Sequence, residues 1–515
     1  MLLSCICISF PQLQAPMSHP FMIVLATVSG LLSPRQPPET VYVRLADLAA
    51  TALAREVTLR ARAYDAEIAR ADVLDARSAF DPVLQLRGDA SGSDVASLTS
   101  DGRLSQRLRG RTLSSNLAGN TPWSTQYAAS LESVWRGQNP LTTQGNLNEY
   151  DNLLTFAVTQ PLLRGFGAAS GQEQVSAATS GLRATEAQLR RLAELTVADV
   201  ERLYWVLEQR QEEEAVAEQS LRRAETLVRR NTELRKLDKV TENDLTTARL
   251  GVAERRNALV RAVQSRQDAT DDLISFAYGD RAREQYNQGD RVFRAVDAPV
   301  LALELPPAAQ AESLALIARN DLAAARLNLE RYRQLRNLSR NTLLPTVNLT
   351  GSYTTIVNNA SSVRLRASRL GDVESSGWSM GLSARVPLAN SSARATAVQQ
   401  NALYAQQAIT ISGVENQVRN EVHQARRAVE TGGRVLALAD TAVALGQQQF
   451  SMEVQRLDLG LSDSFRLLQQ EEQIANAQFA QIAARYELAL AVMRFEVASG
   501  RDMLRKYQLE TRGLH

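Results

Sequence analysis

Segments with a helical period alternate with segments of period two, and this order occurs twice along the 515-residue chain. The first change from helical to alternating pattern lies at Phe80–Gly88 and the second at Leu344–Gly351, where Pro, aliphatic, amide, Leu and Gly positions share one register. The return changes, at Val158–Leu163 and Ala384–Ala389, also match and again contain proline, which lacks the N–H that a ladder or helix interior needs. The pattern therefore predicts a tandem repeat of helix, strands and long helices.

Two proline-free stretches, 168–279 and 391–499, predict long amphipathic helices. In both, apolar residues recur at spacings of three and four, which is typical of a buried helical stripe. Two antiparallel helices of about 55 residues in each stretch would each be about 80 Å long, and a globular domain rarely contains such helices. The two stripes consist of Leu189, Ala193, Thr196, Val200, Leu203 and Leu207, and of Ala475, Phe479, Ile482, Tyr486, Ala489, Met493 and Val497.

The proline-bounded segments 82–161 and 345–387 predict strands with one apolar and one polar face. In the second segment Trp378, Met380 and Leu382 alternate with serine and glycine. Such alternation fits either a transmembrane barrel that encloses water or an antiparallel sheet with one face on a soluble core. The first segment is longer, and its further alternating run, Tyr127–Trp135, predicts either a long exposed loop or an added hairpin.

Composition excludes several classes of protein. The mean hydropathy of −0.24 and a longest apolar stretch of twelve residues, Phe21–Leu32, rule out a bundle of lipid-embedded helices. A formal charge of +2, from 58 basic and 56 acidic residues, gives no field that would attract nucleic acid. The two cysteines lie at positions 5 and 7, and no metal-ligand spacing, phosphate-binding loop or catalytic triad occurs, so the sequence predicts no metal, no cofactor and no enzyme.

The motifs at the strand boundaries resemble those of the TolC family of outer-membrane channel proteins. Phe80-Asp81-Pro82 enters a strand and Val158–Gly167 leaves one, and the resemblance extends from about Val43 to Gly500. It implies a mainly α fold with β-structure: a trimeric α-helical barrel, or tunnel, capped by a transmembrane β-barrel and built from two helix-strand-strand-helix repeats per subunit. It also implies four strands from each subunit in a twelve-stranded barrel.

The resemblance further implies a function and its partners. The chain would be an outer-membrane channel, the exit duct of a tripartite efflux pump or a type I secretion system, which carries substrates passively from an inner-membrane pump to the exterior. It would form a homotrimer in outer-membrane lipid with its tunnel in the periplasm, where it meets a periplasmic adaptor (membrane fusion) protein. The alternative is a non-channel periplasmic coiled-coil adaptor or scaffold, which should not repeat the whole helix-strand-helix plan.

Candidate functional residues lie in the turns between the long helices, which the resemblance places at the periplasmic tip. Asp244 matches a pore-constricting acid, and a ring of such carboxylates would attract cations; the alternative is a solvated helix cap. Gly460-Leu461-Ser462 matches an adaptor-contact pattern, and the alternative is a simple C-cap glycine. The second repeat has Arg466 and Gln469 where a second acidic ring would need acids.

The two turn sequences correspond when Leu237–Leu245 is set against Leu457–Phe465. In this comparison the first repeat has Lys239-Val240-Thr241 in the adaptor-contact region and lacks the glycine. Polar residues that cap helices open the second helix of both pairs.

The predicted division of the chain follows from these boundaries. Residues 1–35 form a signal or unstructured segment, 36–279 the first repeat with strands within 82–161 and helices within 168–279, and 280–310 a linker or equatorial segment outside the bundle. Residues 311–500 form the second repeat, with strands within 345–387 and helices within 391–499, and 501–515 form a C-terminal tail.

Overall fold

The computed structural model describes residues 39–99, 102–139, 147–282, 284, 291–358 and 375–509, so the expected signal segment lies outside the described residues. The helices are α1 (Leu45–Arg55), α2 (Val57–Ser78), α3 (Gly167–Lys236), α4 (Glu242–Tyr278), α5 (Ala308–Ala318), α6 (Asn320–Asn341), α7 (Ser391–Asp458), α8 (Ser464–Ala498) and α9 (Met503–Lys506). The strands are β1 (Glu39–Val43), β2 (Val83–Thr99), β3 (Gly102–Asn120), β4 (Gln126–Asn139), β5 (Leu147–Pro161), β6 (Arg291–Ala295), β7 (Thr346–Asn358) and β8 (Ser375–Arg385).

The helices follow the same plan in both repeats. The helices α3 and α7 have 70 and 68 residues, and each is therefore about 100 Å long. Their antiparallel partners α4 and α8 have only 37 and 35 residues. The expectation of equal helices of about 55 residues was wrong. Separate helices of 22 residues supply the length that α4 and α8 lack: α2 packs against α3, and α6 packs against both α3 and α7.

In each repeat a glycine follows the shorter helix of the long pair, α4 or α8, where it approaches the end of α1 or α5. Gly279 follows α4 with φ +53°, and a Cβ there would lie 2.3 Å from the carbonyl oxygen of Arg55, at the end of α1. Gly500 follows α8 with φ +80°, and its Cβ would lie 3.0 Å from Cβ of Ala318, at the end of α5. Only glycine fits both the backbone conformation and the close approach, which explains why the helices end there.

The predicted helical stripes form the core between the helices. All six stripe residues of α3 are buried, and in α8 Ile482, Tyr486 and Met493 are buried with them. A second cluster joins α5, α7 and α8 around Val418, Val422 and Phe495. The helices therefore pack through the apolar faces that their 3.6-residue period indicates.

The strands form one antiparallel sheet of six in the order β2-β3-β4-β5-β7-β8. The run at Tyr127–Trp135 is part of strand β4 and not of a long loop, and 82–161 folds into two hairpins where 345–387 folds into one. The sheet thus has two strands more than the four that the resemblance implies. The pairing of β5 with β7 joins the two repeats.

The segment 280–310 is docked on the bundle through β6, which pairs in parallel with β1. Phe293 of β6 is buried in the main core, and its carbonyl oxygen accepts a hydrogen bond from Gln211 Nε2 at 3.0 Å. The linker was expected outside the bundle, but its alternating apolar residues place one side chain inside it. None of the helices in the described ranges has an apolar stretch that is long enough to span a membrane.

Candidate membrane sheet and channel tip

The register of the six strands places most large apolar side chains on one face of the sheet. The cross-strand pairs Leu131–Leu154, Phe156–Tyr353 and Tyr353–Trp378 all lie on this face. Several of its side chains are far more exposed than a soluble core would allow, among them Trp378 at 77% and Met380 at 70%. A continuous exposed apolar face of this size indicates contact with lipid or with another protein. The residues of this face include Leu84, Leu86, Leu113, Leu117, Tyr127, Leu131, Trp135, Leu154, Phe156, Val158, Leu349, Tyr353, Trp378, Met380 and Leu382.

The opposite face is polar and hydrogen-bonded across the strands. The Thr155 and Thr354 hydroxyls lie 3.1 Å apart, and the Ser352 and Ser379 hydroxyls lie 2.8 Å apart. Arg136 donates to Asp151 at 2.8 Å on the same face. A polar face opposite an apolar one is the arrangement of strands that line a water-filled lumen.

Hydrogen bonds fasten the sheet to the helices at their common end. The backbone N–H of Leu162 donates to the Val347 carbonyl oxygen at 2.7 Å, and that of Gly165 donates to Asn341 Oδ1 at 2.7 Å. Gly165 and Gly167 have φ +85°, which lets the chain turn sharply from β5 into α3. The motif Val158–Gly167 thus joins strand, turn and helix, and it ties the first repeat to the second.

At the other end of the long helices, the two turns have the same backbone geometry. After α7, the N–H of Leu461 donates to the Arg456 carbonyl and that of Gly460 to the Leu457 carbonyl, and Gly460 has φ +73°. After α3, the N–H groups of Lys239 and Asp238 make the equivalent two bonds, and Asp238 has φ +53°. Both are Schellman motifs, which end a helix with one residue in a left-handed conformation.

This geometry corrects the predicted correspondence of the two turns. The sequence comparison set Leu237 opposite Leu457, but the structure places Leu237 opposite Leu459 and Asp238 opposite Gly460, since these residues hold the same positions relative to the helix ends. The shift is two residues. Aspartate tolerates the left-handed region better than most side chains, so the first repeat keeps the turn without the glycine.

The predicted constriction residue, Asp244, forms the capping box of α4. Its Oδ2 accepts hydrogen bonds from the Thr241 N–H at 3.1 Å and from the Thr241 hydroxyl at 2.6 Å, while the Asp244 N–H donates to the Thr241 hydroxyl oxygen at 3.1 Å. The half-buried carboxylate is thereby fixed in the first turn of the helix. Arg466 holds the equivalent third position of α8, where Asp463 caps its backbone N–H at 2.8 Å. Asp244 has a definite structural role, and its role in a pore stays a prediction.

The predicted adaptor-contact residues are brought together with exposed apolar side chains. Leu461 is 66% exposed, Gly460 is exposed, and the half-buried Ser462 donates to Glu453 Oε1. Leu459 and Phe465 flank them and are 74% and 65% exposed. The tip of the second repeat thus presents a small apolar surface at the end of the bundle.

Buried polar contacts that were not predicted from the sequence join the two repeats above the tip. The side-chain amide of Asn231 donates to the Ser464 hydroxyl at 2.8 Å, and both residues are buried. Glu471, which is 3% exposed, accepts hydrogen bonds from Ser220 at 2.6 Å and from Arg255 at 3.1 Å. The signal was present, because Asn231 and Glu471 interrupt apolar helical stripes and a polar residue there needs a buried partner.

Fold and comparisons define the class of protein. Residues 312–501 match the protein-family model described as Outer membrane efflux protein. The chain is similar in structure to the CmeC outer membrane channel of Campylobacter jejuni (16% identity, 92% of this chain and 90% of that one, TM-score 0.60). It is also similar to the outer membrane protein VceC of Vibrio cholerae (16% identity, 88% and 96%, TM-score 0.62) and to the open-state MtrE outer membrane channel of Neisseria gonorrhoeae (19% identity, 89% and 89%, TM-score 0.59).

The resemblance to the TolC family is therefore confirmed: the second half of the chain carries an outer membrane efflux protein domain, and the chain as a whole has the TolC-type fold. A search of curated proteins finds no match to this chain. The matched domain and the fold support an outer-membrane efflux channel.

Proposed function

We propose that three copies of this chain form an exit duct in the outer membrane for an efflux pump or a type I secretion system. The observation that carries the proposal is the six-stranded sheet with its exposed apolar face. Within the described strands, β2 and β8 are each paired on one side only. Lipid cannot hydrogen-bond to an open strand edge, so β2 of one copy would pair with β8 of the next until the sheet closes.

The widths of the sheet and of the helical wall support a closed trimer. Three sheets would give eighteen strands, and strands 4.8 Å apart with a tilt of about 40° give a barrel about 36 Å across, against about 24 Å for twelve. Four helices per copy, α2, α3, α6 and α7, lie next to one another below the sheet. Twelve helices spaced about 9 to 10 Å apart enclose a ring of about the same width as eighteen strands.

The aromatic residues of β4 fit the thickness of a membrane. Tyr127 and Trp135 lie on the apolar face, eight residues apart. This separation is about 27 Å along the strand and about 21 Å along a barrel axis from which the strand is tilted by about 40°. An apolar band of about 25 Å between two aromatic girdles is typical of outer-membrane barrels.

The helical end of the duct would receive substrates from an inner-membrane pump through a periplasmic adaptor. The exposed apolar surface around Gly460-Leu461-Ser462 supports contact with the adaptor, since solvent-exposed leucines at a helix turn gain free energy when a partner covers them. Three copies of Asp244 around one axis would form a ring of carboxylates that favours cations.

The first test is single-particle imaging of the full-length protein, extracted from outer membranes in mild detergent. We expect a threefold cylinder with eighteen strands inside the detergent belt and a helical part about 100 Å long. A monomer without a detergent belt, released from membranes by high salt, would contradict the duct and would leave the periplasmic adaptor or scaffold as the explanation.

The adaptor contact is tested by Leu461→Asp in a strain that depends on this channel for export. We expect loss of export and of cross-linking to the adaptor while trimers remain in the outer membrane, because the charge replaces apolar contact area. Leu237→Asp is the matched control, since Leu237 is 64% exposed in the turn of the first repeat. Equal effects of the two variants would contradict a contact specific to Gly460-Leu461-Ser462.

The constriction is tested by single-channel recording of Asp244→Asn. Asparagine can still accept the hydrogen bonds of the capping box, so the turn should persist while the carboxylate charge is lost. We expect a lower preference for cations over anions. Asp463→Asn is the control, because Asp463 is also a capping acid at the tip; an unchanged preference in Asp244→Asn would remove the residue from the pore.

A further inference from the structure

The apolar face of the sheet becomes basic along β3. Leu117 and Leu113 lie on that face, and the next side chains on it, at alternate positions of the strand, are Arg111, Arg109 and Arg107. We call these three residues the arginine row. Side chains two positions apart in a strand point to the same side and lie about 7 Å apart, and all three arginines are exposed. The row therefore extends the outward face beyond its apolar part.

An aromatic pair marks the border between the two parts. Arg111 is paired with Trp135 on β4, and Trp135 is paired with Tyr150 on β5. The Arg111 guanidinium lies 5.3 Å from the centre of the Trp135 ring, within the range of a cation–π contact. In outer-membrane barrels, Trp and Tyr lie at the level where hydrocarbon meets the lipid headgroups. The arginine row thus begins at headgroup level.

The surroundings leave the central arginine open to the outside. Arg109 is paired with Gly92 on β2 and with Gly137 on β4, so neither neighbouring strand places a side chain beside it. Arg107 has an ion pair with Asp94 at 3.0 Å. Among the described residues, neither Arg109 nor Arg111 has an ion-pair partner. The row therefore carries two uncompensated charges on a flat, accessible strip.

Two arginines of the polar face are arranged differently. Arg87 of β2 contacts Asp89 at 2.6 Å, and Arg136 of β4 contacts Asp151 at 2.8 Å. Both of these arginines are thus neutralised within the chain. The outward side leaves Arg109 and Arg111 for a partner outside the chain.

The row lies at the end of the sheet that faces away from the helices. Strands β2 and β7 start from α2 and α6, and β5 and β8 lead into α3 and α7, so all four helices attach at one end of the sheet. In the proposed duct the helices are periplasmic. The arginine row then lies at the headgroups of the outer leaflet.

We infer that the arginine row binds phosphate groups of lipid headgroups in the outer leaflet. This inference rests on the proposed function, because it requires the sheet to span the outer membrane. A planar guanidinium with five donors matches the oxygens of a phosphate group and binds it by paired, charge-assisted hydrogen bonds. The guanidinium of Arg109, which has no ion-pair partner among the described residues, supplies hydrogen-bond donors to the phosphate. The Arg111 guanidinium is held over the Trp135 ring. The ion pair with Asp94 makes the Arg107 end of the row less positive. The hairpin β2–β3 would thereby anchor the duct laterally in phosphate-bearing lipid.

The experiment measures lipid retention by the full-length protein in an uncharged detergent, using native mass spectrometry. The probes are phosphatidic acid, which has a terminal phosphate, and phosphatidylcholine, whose phosphate is masked by choline. We expect the double variant Arg109→Gln/Arg111→Gln to retain phosphatidic acid about tenfold less than the unmodified protein, as the loss of one charge-assisted pair implies. Phosphatidylcholine retention should not change.

The matched control is Arg87→Gln/Arg136→Gln, which removes two arginines from the polar face of the same sheet, on the strands β2 and β4 that flank β3. It should retain phosphatidic acid as the unmodified protein does. Equal retention by both double variants, or equal retention of the two lipids by the unmodified protein, would overturn the inference. Displacement of the lipid by inorganic phosphate at the same concentration would also overturn it, because the site would then recognise the free anion.

Each sample is first tested for trimers and for channel activity in planar bilayers. If the unmodified protein forms no membrane channel, the proposed function fails. If it forms channels and both double variants retain phosphatidic acid equally, the proposed function stands and only the lipid site is wrong.

Discussion

The two repeats agree closely in their helices and differ in their strands. The long helices α3 and α7 differ by two residues in length, as do α4 and α8. Between α2 and α3, however, the chain makes four strands, whereas between α6 and α7 it makes two. The helical wall therefore has a fixed plan, and the sheet is the part that varies.

The physical reason lies in the direction of the chain. An antiparallel strand carries the chain from the helical end of the sheet to the far end, so the number of strands between two helices must be even for the chain to return. A whole hairpin can be inserted without moving the helices, while a single strand cannot. The sheet can thus widen by two strands per subunit above an unchanged wall.

Deletion of a single strand should have the largest effect. Removal of residues 102–120, which form β3, would leave three strands between α2 and α3 and place the start of α3 at the wrong end of the sheet. We expect at least about tenfold less trimer in the outer membrane, because an unpaired edge in lipid costs several kcal/mol per exposed backbone group. The measurement is the amount of heat-modifiable trimer in purified outer membranes.

The matched control removes the hairpin as a unit. Deletion of 83–125 joins Pro82 to Gln126, and Asp81 and Gln126 already line the same cavity, so the new connection is short. This variant should still assemble, with a narrower barrel of four strands per subunit. If it fails as completely as the single-strand deletion, the added hairpin is required for folding and the parity argument is wrong.

Loss of the buried ion pair between the repeats should have the next largest effect. Arg255 of α4 and Glu471 of α8 are 11% and 3% exposed, and the equivalent positions of the other repeat hold Ala477 and Arg249. Arg255→Ala would leave the buried Glu471 carboxylate without its cation and lower stability by about 3 to 5 kcal/mol. The apparent Tm of the detergent-solubilised protein should fall by several degrees.

Arg256→Ala provides the comparison for this variant. Arg256 is 67% exposed and lies 3.6 Å from Glu225, so its loss should change stability by less than about 0.5 kcal/mol. A similar fall in Tm for both variants would show that burial does not increase the contribution of Arg255 to stability.

The plan of the fold could be read from the sequence where the pattern is periodic. The stripe of α3, from Leu189 to Leu207, and the alternation around Trp378 predicted their elements because burial on one face imposes a period. The start of β2 was predicted at Phe80–Gly88, but β3 was not, since the arginine row breaks its apolar period. Contacts such as Asn231–Ser464 join residues more than 200 positions apart, and no local pattern reports them.

A buried carboxyl group distinguishes the two long helices at a shared position. Glu208 of α3 and Glu430 of α7 both lie 28 residues before the end of their helix. Burial, with a further contribution from the Glu212 carboxylate, raises the pKa of Glu208 from 4.5 to about 7. Glu430 is 42% exposed and pairs with Arg426 at 3.0 Å.

The raised pKa makes stability fall as the pH rises. Between pH 4.5 and 7 the unfolded chain loses the Glu208 proton while the folded chain keeps it, so the folded state loses stability over this range and no more above it; because solvent partly screens the half-buried group, the loss is about 1 to 2 kcal/mol. Glu208→Gln should therefore raise the apparent Tm at pH 8 and leave it unchanged at pH 4. Glu430→Gln, at the exposed equivalent position, is the control, and an equal gain at pH 8 in both variants would contradict the burial argument.

The smallest effect should come from changing the residue in the left-handed position of each turn. Gly460 and Asp238 hold the same left-handed position, and a Cβ at Gly460 would meet nothing within 4 Å, so only the backbone conformation opposes a side chain there. Gly460→Ala should cost about 1 kcal/mol, and Asp238→Gly should gain a few tenths to about 1 kcal/mol. Hydrogen exchange at the Leu461 and Lys239 amides, which close the two Schellman motifs, measures each turn separately. Faster exchange at Leu461 in the first variant and slower exchange at Lys239 in the second would show that the two turns are one structure with different residues. Unchanged exchange in both would mean that the packing of the helices, rather than the turn residue, holds the tip in shape.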